Sequence, residues 1–339
     1  MNFASLAEST IKQEQWDEFV LRHPSGHLFQ TYEWGEVSKD LGWQPLRYLV
    51  KEGKELKAVA QLLRRSKGPI SILYAPRGPL FLDKESLVFI TQKLKSVVRG
   101  NNAIFLKINP ALENSLGMRN WYEDAGLRRS NTREMHICTY LIDLSKDLEN
   151  IWQGFSSMVK KGVKKAEREG IVIEKAQNIN QVHEFYDLYK QNCVVNGIAF
   201  HSKDFVIKVW DKFSPKGNVE LFLAIYRGKA IAGLLLFLYS YKCEEMWSAS
   251  NVEYLNLRPY QLLHWDIFRR LKERGFVFYN MGGVPPNKSE LPGIQFYKQS
   301  FGGKFTEFLG EYELAGNPIL YYFWNKFGKF YINRKRIKK

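Results

Sequence analysis

Two stretches of the chain place apolar and polar residues in short strand-like runs that turn back on themselves. Leu49–Leu63 reads LVKEGKELKAVAQLL and Phe222–Phe237 reads FLAIYRGKAIAGLLLF. Each predicts a β-hairpin, with tight turns at Glu52-Gly53 and Arg227-Gly228. The turn glycines stand 175 positions apart (228 − 53). The same offset recurs downstream. Ser86–Gly100 (SLVFITQKLKSVVRG) and Gln261–Gly275 (QLLHWDIFRRLKERG) carry apolar residues at helical spacing, and both end in Arg-Gly, a basic residue and glycine that stop a helix. Each then runs into an apolar strand, Ala103–Ile108 (AIFLKI) and Phe276–Met281 (FVFYNM). Asn120–Gly126 (NWYEDAG) parallels Gln295–Gly302 (QFYKQSFG), with Tyr122 and Tyr297 again 175 apart.

A hairpin, a further strand, a helix and another strand, repeated in register, predict an internal duplication. The expected fold class is α/β (α+β), two tandem domains whose mixed, twisted sheets are flanked by helices. The domain boundary is expected near Asp143–Asn150, where polar LSKDLEN follows the strand CTYLIDL, giving domains 1–145 and 146–316. A length of 339 residues agrees with two cores, since single cores stop growing at roughly 250–300 residues.

Composition narrows the class. A hydrophobic fraction of 45% with 15% aromatics excludes a disordered chain. The longest apolar run, Ala230–Tyr239 (AIAGLLLFLY), is about half of the roughly 20 residues a membrane-spanning helix needs, and it is expected to be a buried strand. Glu8, Lys12 and Glu14 interrupt the N-terminal segment, so no secretory signal is expected and the protein should be cytoplasmic. The three cysteines, Cys138, Cys193 and Cys243, are widely spaced, and the six histidines form neither HxxxH nor HExxH. No disulfide framework or metal site is expected. A net charge of +15 points to polyanionic partners: tRNA, a nucleotide-linked precursor or an anionic membrane surface.

Five segments, LFQTYEW (Leu28–Trp34), YAPRGPLF (Tyr74–Phe81), KKGVKKAEREGI (Lys160–Ile171), SASNVEY with RPYQLLHW (Ser248–Trp265) and GIQFYKQSFGGKFTEFLGEYEL (Gly293–Leu314), carry a resemblance to the FemABX non-ribosomal peptidyltransferases. That resemblance implies two domains of the GNAT acyltransferase fold. It also implies transfer of an amino acid from aminoacyl-tRNA to an amine of a UDP-linked or lipid-linked peptidoglycan precursor. With no long charged heptad insertion, the chain is similar to the compact members without a coiled-coil arm, in which the C-terminal segment, here 317–339, packs back on the first domain.

Where a GNAT enzyme that uses acyl-CoA would have a glycine-rich, phosphate-cradling loop, this chain reads Leu257-Arg258-Pro259-Tyr260-Gln261. No coenzyme is therefore expected, and the resemblance implies aminoacyl-tRNA as co-substrate. Lys298, in Phe296-Tyr297-Lys298, matches the family's Phe-Lys motif, whose lysine the resemblance implicates in stabilising the oxyanion of the transfer step; Lys298 and Tyr297 are the catalytic candidates. At the offset of 175, Lys298 corresponds to Glu123, so the fold itself does not require the lysine.

Candidates for the precursor pocket are Trp34, Arg77, His201, Trp247, Tyr254 and Tyr260. Trp34 either lines the cleft or staples the N-terminal helix, Arg77 sits in a rigid Pro-Arg-Gly-Pro turn, and both tyrosines have core packing as the competing reading. Compact members that hold a UDP-linked precursor place an Arg and a Tyr where this chain has His201 and Phe205. They also carry a basic residue where it has Glu36, with Lys39 beyond.

Lys160, Lys161, Lys164, Lys165 and Arg168 make one broad basic helix face that either binds tRNA or precursor phosphates or is a solvated surface. The tail from Lys326 onward mixes basic and aromatic residues and suits an anionic membrane, nucleic acid, or a packed helix with a frayed end. Two other functions fit the same scaffold: an N-acyltransferase dependent on CoA or a carrier protein, and a non-catalytic binder of tRNA or membrane.

Overall fold

The computed structural model describes residues 1–132, 134–287 and 292–326. Along the chain come β1 (Asn2–Ser5), α1 (Gln13–Arg22), α2 (Tyr32–Ser38), β2 (Gln44–Glu52), β3 (Glu55–Lys67), β4 (Ile70–Pro76), β5 (Leu80–Phe81), α3 (Lys84–Gly100), β6 (Ala103–Asn109), α4 (Leu116–Asp124) and β7 (Arg128–Arg129). There follow β8 (Cys138–Asp143), α5 (Leu148–Gly154), α6 (Ser157–Arg168), β9 (Val172–Lys175), α7 (Ile179–Val195), α8 (Lys203–Phe213), β10 (Val219–Tyr226), β11 (Lys229–Tyr239), β12 (Lys242–Ser250), α9 (Pro259–Glu273), β13 (Phe278–Val284), α10 (Pro292–Gln299), β14 (Lys304–Glu307) and β15 (Tyr312–Ala315).

The chain separates into two compact units, Met1–Ile137 together with the chain from Glu307 onward, and Cys138–Thr306. Each has one mixed sheet. The strand orders are β1-β2-β3-β4-β6-β15-β7 in the first and β14-β8-β13-β12-β11-β10-β9 in the second, the same order read in opposite directions. The offset of 175 carries β2, β3, α3, β6 and α4 onto β10, β11, α9, β13 and α10 with little slippage. The second hairpin turns on Arg227 (φ 49°) and Gly228 (φ 75°), the pair of positive φ angles that a two-residue turn demands.

The boundary falls elsewhere than the sequence suggests. The strand Cys138–Asp143, expected to close the first domain, pairs with β13 in the second sheet, and β15, expected in the second domain, pairs with β6 in the first. At the offset of 175 these two strands are equivalents, so the two repeats exchange the last strand. The sequence shows an apolar strand followed by polar residues, which marks the end of a strand and says nothing about which sheet receives it.

The first core lies between its sheet and α3, where Leu87, Ile90, Leu94 and Val98 meet Val50, Leu62, Leu73 and Leu106. Asp83 caps α3 by accepting from Ser86 N, whereas α9 begins at Arg258 and Pro259 without a side-chain cap. Residues 318–326 are helical and belong to the first unit, with Tyr321 and Trp324 packed on Ile104 and Phe105. Residues 327–339, which hold most of the basic tail, lie outside the described residues.

Candidate active site in the second unit

In the second sheet β12 and β13 run parallel and pair at Lys242–Phe278, Cys243–Tyr279 and Glu244–Asn280. Beyond Glu244 they part. Among the described residues β12 continues to Ser250 paired with β11, and β13 continues to Val284 paired with β8. Bulges mark the split on both strands: register shifts between Leu235–Trp247 and Leu236–Glu245 on one, and between Asn280–Leu141 and Gly283–Thr139 on the other. Such bulges bend a strand and re-aim its side chains. Gly282 sits in the second bulge at φ 74°, and a Cβ there would lie 3.0 Å from the Glu245 backbone oxygen and 3.3 Å from Lys298 Nζ. Only glycine satisfies both the backbone and that approach. The Gly282 N–H donates to Asn280 Oδ1 (3.0 Å) and the Thr139 hydroxyl to the Gly282 carbonyl (2.9 Å), which fixes the bulge.

Lys298 enters this opening from the last turn of α10, where the helix dipole favours a cation. Its ammonium donates to the Met281 carbonyl and, at 3.3 Å, to that of Gly283. The side chain is partly exposed. Behind it, His264 of α9 places Nδ1 2.8 Å from the Tyr260 carbonyl and Nε2 3.1 Å from Glu245 Oε2, with the Tyr297 hydroxyl 3.2 Å from Nδ1. A carbonyl only accepts, so Nδ1 carries a proton, and the contact with Glu245 needs another on Nε2 or the carboxyl. Tyr260 turns its hydroxyl to those of Ser250 and Ser248, on the stretch of β12 beyond the split.

Burial pushes the Lys298 ammonium below its ordinary pKa, and the negative charges of Glu245 and Glu244 oppose that fall. Burial alone would raise the Glu245 carboxyl; the charge of Lys298 and the hydrogen bond from His264 outweigh it and hold the group below its usual range. Tyr260, Tyr279 and Tyr297 are raised by burial and then by Glu245, and so remain phenols.

The structure brings together Lys298, Tyr297 and Tyr260, the last two with ring centroids 6.4 Å apart around His264. His201 and Trp247 form a second group: the His201 ring lies 4.7 Å from Phe205 and 5.5 Å from Trp247, and burial pushes the imidazole pKa down. Tyr254 instead meets Tyr226, centroids 6.0 Å apart, at the hairpin end of the sheet. In the first unit Trp34 is a core residue, buried against Phe29 at 4.4 Å. Arg77 is likewise buried, with a left-handed backbone (φ 57°) and its guanidinium 5.2 Å above Phe308. Both are packed into the first unit and present little of their side chains to solvent.

The basic face on α6 is narrower than its sequence: Lys161, Lys164 and Arg168 are exposed, while Lys160 donates to the Gln153 carbonyl (3.1 Å) and Lys165 is half-buried. Gly162 lets α6 pack against α9, since a Cβ there would reach 2.8 Å from Gln261 Cγ, next to Tyr260.

Sequence reasoning missed Glu245 and His264. Their signals are faint: a Glu-Glu pair inside an apolar strand, and adjacent glycines, Gly282 and Gly283, inside another, which mark a bulge or a close backbone approach. Among the described residues no group of three or more His, Cys, Asp or Glu could hold a metal, and all three cysteines are buried.

Comparison with known proteins places this arrangement. The FemAB family model matches residues 11–121, 122–230 and 225–329. The lipid II:glycine glycyltransferase of Staphylococcus haemolyticus is 22% identical over an alignment of 398 positions, covering 93% of this chain and 94% of that protein. That alignment is longer than the 339 residues here, so the relative carries sequence without a counterpart in this chain. The crystal structure of FemX superimposes with a TM-score of 0.86 at 20% identity, covering 96% of this chain and 100% of that one. A tandem GNAT protein from the clavulanic acid biosynthesis pathway gives 0.56 at 11% identity, covering 94% and 99%.

Proposed function

The chain belongs to the FemAB family of acyltransferases, and from that premise we propose that it moves an amino acid from aminoacyl-tRNA to an amine of a peptidoglycan stem peptide, on a lipid-linked precursor. The single observation that carries the reading is Lys298. An ammonium has three N–H donors, two are spent on the Met281 and Gly283 carbonyls, and the third is left at the opened edge between β12 and β13. In this reading that donor meets the oxyanion.

In the transfer, the amine nitrogen attacks the ester carbonyl, the C–N bond forms, and the C–O bond to the ribose breaks. The proton lost by the amine ends on the ribose oxygen. Lys298 holds the negative charge that grows on the carbonyl oxygen between these events. No protein base is assigned, and no coenzyme is required. The lipid-linked acceptor is supported by the relatives, whose name is lipid II:glycine glycyltransferase. For tRNA phosphates we assign Lys161, Lys164 and Arg168, the exposed part of the α6 face. The helix 318–326 exposes Ile319, Tyr322 and Phe323 just ahead of the basic tail, which suits a peripheral contact with an anionic membrane at the cytoplasmic side.

The test is transfer of labelled amino acid from aminoacyl-tRNA to lipid-linked precursor by the purified protein. Loss of one oxyanion donor in Lys298→Met is expected to lower the rate about 10²–10³-fold with the fold intact by circular dichroism. Undiminished transfer in that variant, or turnover of acyl-CoA in place of aminoacyl-tRNA, overturns the reading. Salt-sensitive RNA binding without any transfer would make the chain a binding module instead.

A further inference from the structure

We infer that Glu245 and His264 are positioning residues that act as one device: His264 holds the Glu245 carboxylate close enough to Lys298 to supply its charge, yet off it, so that the third N–H of the ammonium stays open for the oxyanion. The inference rests on the function proposed above for Lys298.

Geometry carries it. Four elements converge on one ammonium. β13 gives it two carbonyl acceptors, α10 delivers it, β12 supplies Glu245 and α9 supplies His264. Glu245 makes no direct ion pair with Lys298; its Oε2 lies 3.1 Å from His264 Nε2, and the Tyr279 hydroxyl supports the carboxylate from β13. Without the His264 donor, a carboxylate this near a lysine would swing onto it, because a charge-assisted hydrogen bond to the ammonium would then be the strongest open to it. In that position it would occupy the donor the reaction needs. His264 prevents the swing, and is itself locked at Nδ1 by the Tyr260 carbonyl and the Tyr297 hydroxyl. The imidazole is too buried to meet substrate, with 2% of the side chain exposed, so its effect passes through Glu245. The fold does not ask for the imidazole: at the offset of 175 that carries α3 onto α9, the first repeat has Phe89 in place of His264.

The charged groups acting on Lys298 are Glu245 and Glu244 from β12, and facing Glu245 are His264 and Tyr260 from α9, Tyr279 from β13 and Tyr297 from α10. The phenols stay neutral, so the carboxylates set how long the ammonium stays charged as pH rises. Transfer then has an alkaline limb at which Lys298 deprotonates, and the two variants move it in opposite directions. In Glu245→Gln the supporting charge is gone, so kcat falls and the limb moves down by about one pH unit. In His264→Leu the freed carboxylate pairs directly with Lys298, so kcat also falls but the limb moves up. His264→Gln keeps a donor toward Glu245 and should recover most of the rate, and KM for the lipid-linked acceptor should change less than twofold throughout.

The experiment is the pH dependence of single-turnover transfer by the full chain, corrected for spontaneous ester hydrolysis, in the wild type and these three variants. Limbs that shift in opposite senses support the inference. Limbs that stay put or shift the same way, while Lys298→Met is inactive, overturn it and leave the assignment of Lys298 standing. An active Lys298→Met overturns that assignment itself. Should Glu245→Gln fail to fold, the upward shift in His264→Leu and the recovery in His264→Gln decide alone.

Discussion

Lys107 of the first unit and Gly282 of the second occupy the same place in the repeat, 175 positions apart on β6 and β13. Both strands have a lysine ammonium at that place, but it arrives by different routes. In the first unit it grows from the strand and is sealed: Lys107 is 3% exposed, 3.3 Å from Glu311 and 3.4 Å from Glu313 of β15, and 2.6 Å from the Thr132 hydroxyl. In the second unit the strand contributes a glycine, and the ammonium comes from the next helix as Lys298, partly exposed at a gap.

The neighbouring parallel pair differs in the same sense. β4 and β6 stay paired through Tyr74–Lys107, Ala75–Ile108 and Pro76–Asn109, whereas the equivalent β12 and β13 part after Glu244–Asn280. One repeat uses buried charge to close a sheet. The other keeps the sheet open and leaves its cation with a donor to spare. A duplicated scaffold can divide holding and reacting between its halves because both tasks begin from the same strand position.

The largest effect that sharpens this contrast should come from Lys107→Met. Glu311 accepts from the backbone N–H groups of Glu134 and Met135, and Glu313 from the Ser130 and Tyr321 hydroxyls, so both carboxylates would stay buried without their cation. Burial already pushes the Glu311 carboxyl up despite Lys107. Removing one partner of a buried ion cluster costs about 3–5 kcal/mol, which urea unfolding reads directly. Adding Glu311→Gln and Glu313→Gln should return most of it. A raised carboxyl pKa means that the folded state binds the proton more tightly. The penalty of ionising Glu311 is therefore absent at low pH and appears as pH rises from the ordinary carboxylate value through the folded one. If Lys107→Met unfolds at the same urea concentration as wild type, the cluster does not hold β15 in its sheet.

Gly282→Ala comes next, because it tests the opening from the strand side. Its φ of 74° costs a non-glycine residue about 1–2 kcal/mol, and the new methyl would press on Lys298 Nζ from 3.3 Å. Transfer should fall at least tenfold, more than the loss of stability explains, because a displaced ammonium no longer faces the oxyanion. Equal activity in this variant would mean that the bulge does not place Lys298.

Much of the frame was legible before any coordinates. Gly53 and Gly228 announce turns because only a hairpin needs them there, and the Arg-Gly endings of α3 and α9 mark helix stops. The exchange of β8 and β15 was not legible, since pairing partners of a strand lie in another part of the chain and leave no mark on its own alternation. Lys298 became a candidate through a motif. Glu245 and His264 were hidden because neither stands out locally: one is half of a Glu-Glu pair on a strand, and the other, inside QLLHW, sits where an amphipathic helix puts a core residue. Only the parting of two strands, a long-range event, gives them a task.

The smallest expected effect is none, and it probes the comparison hardest. Glu123 occupies the Lys298 position of the first repeat and is exposed on α4. Glu123→Lys would install the missing cation on a frame of the same order. Transfer rates should not change, because Phe89 stands where the second repeat has His264 and the paired strands β4 and β6 leave no edge to which an ester could come. Stability should stay within about 0.5 kcal/mol, as for other exposed substitutions. A gain in turnover, measured in a Lys298→Met background to remove the native site, would show that a lysine at this frame position is enough, and that neither the split nor its supporting pair is needed.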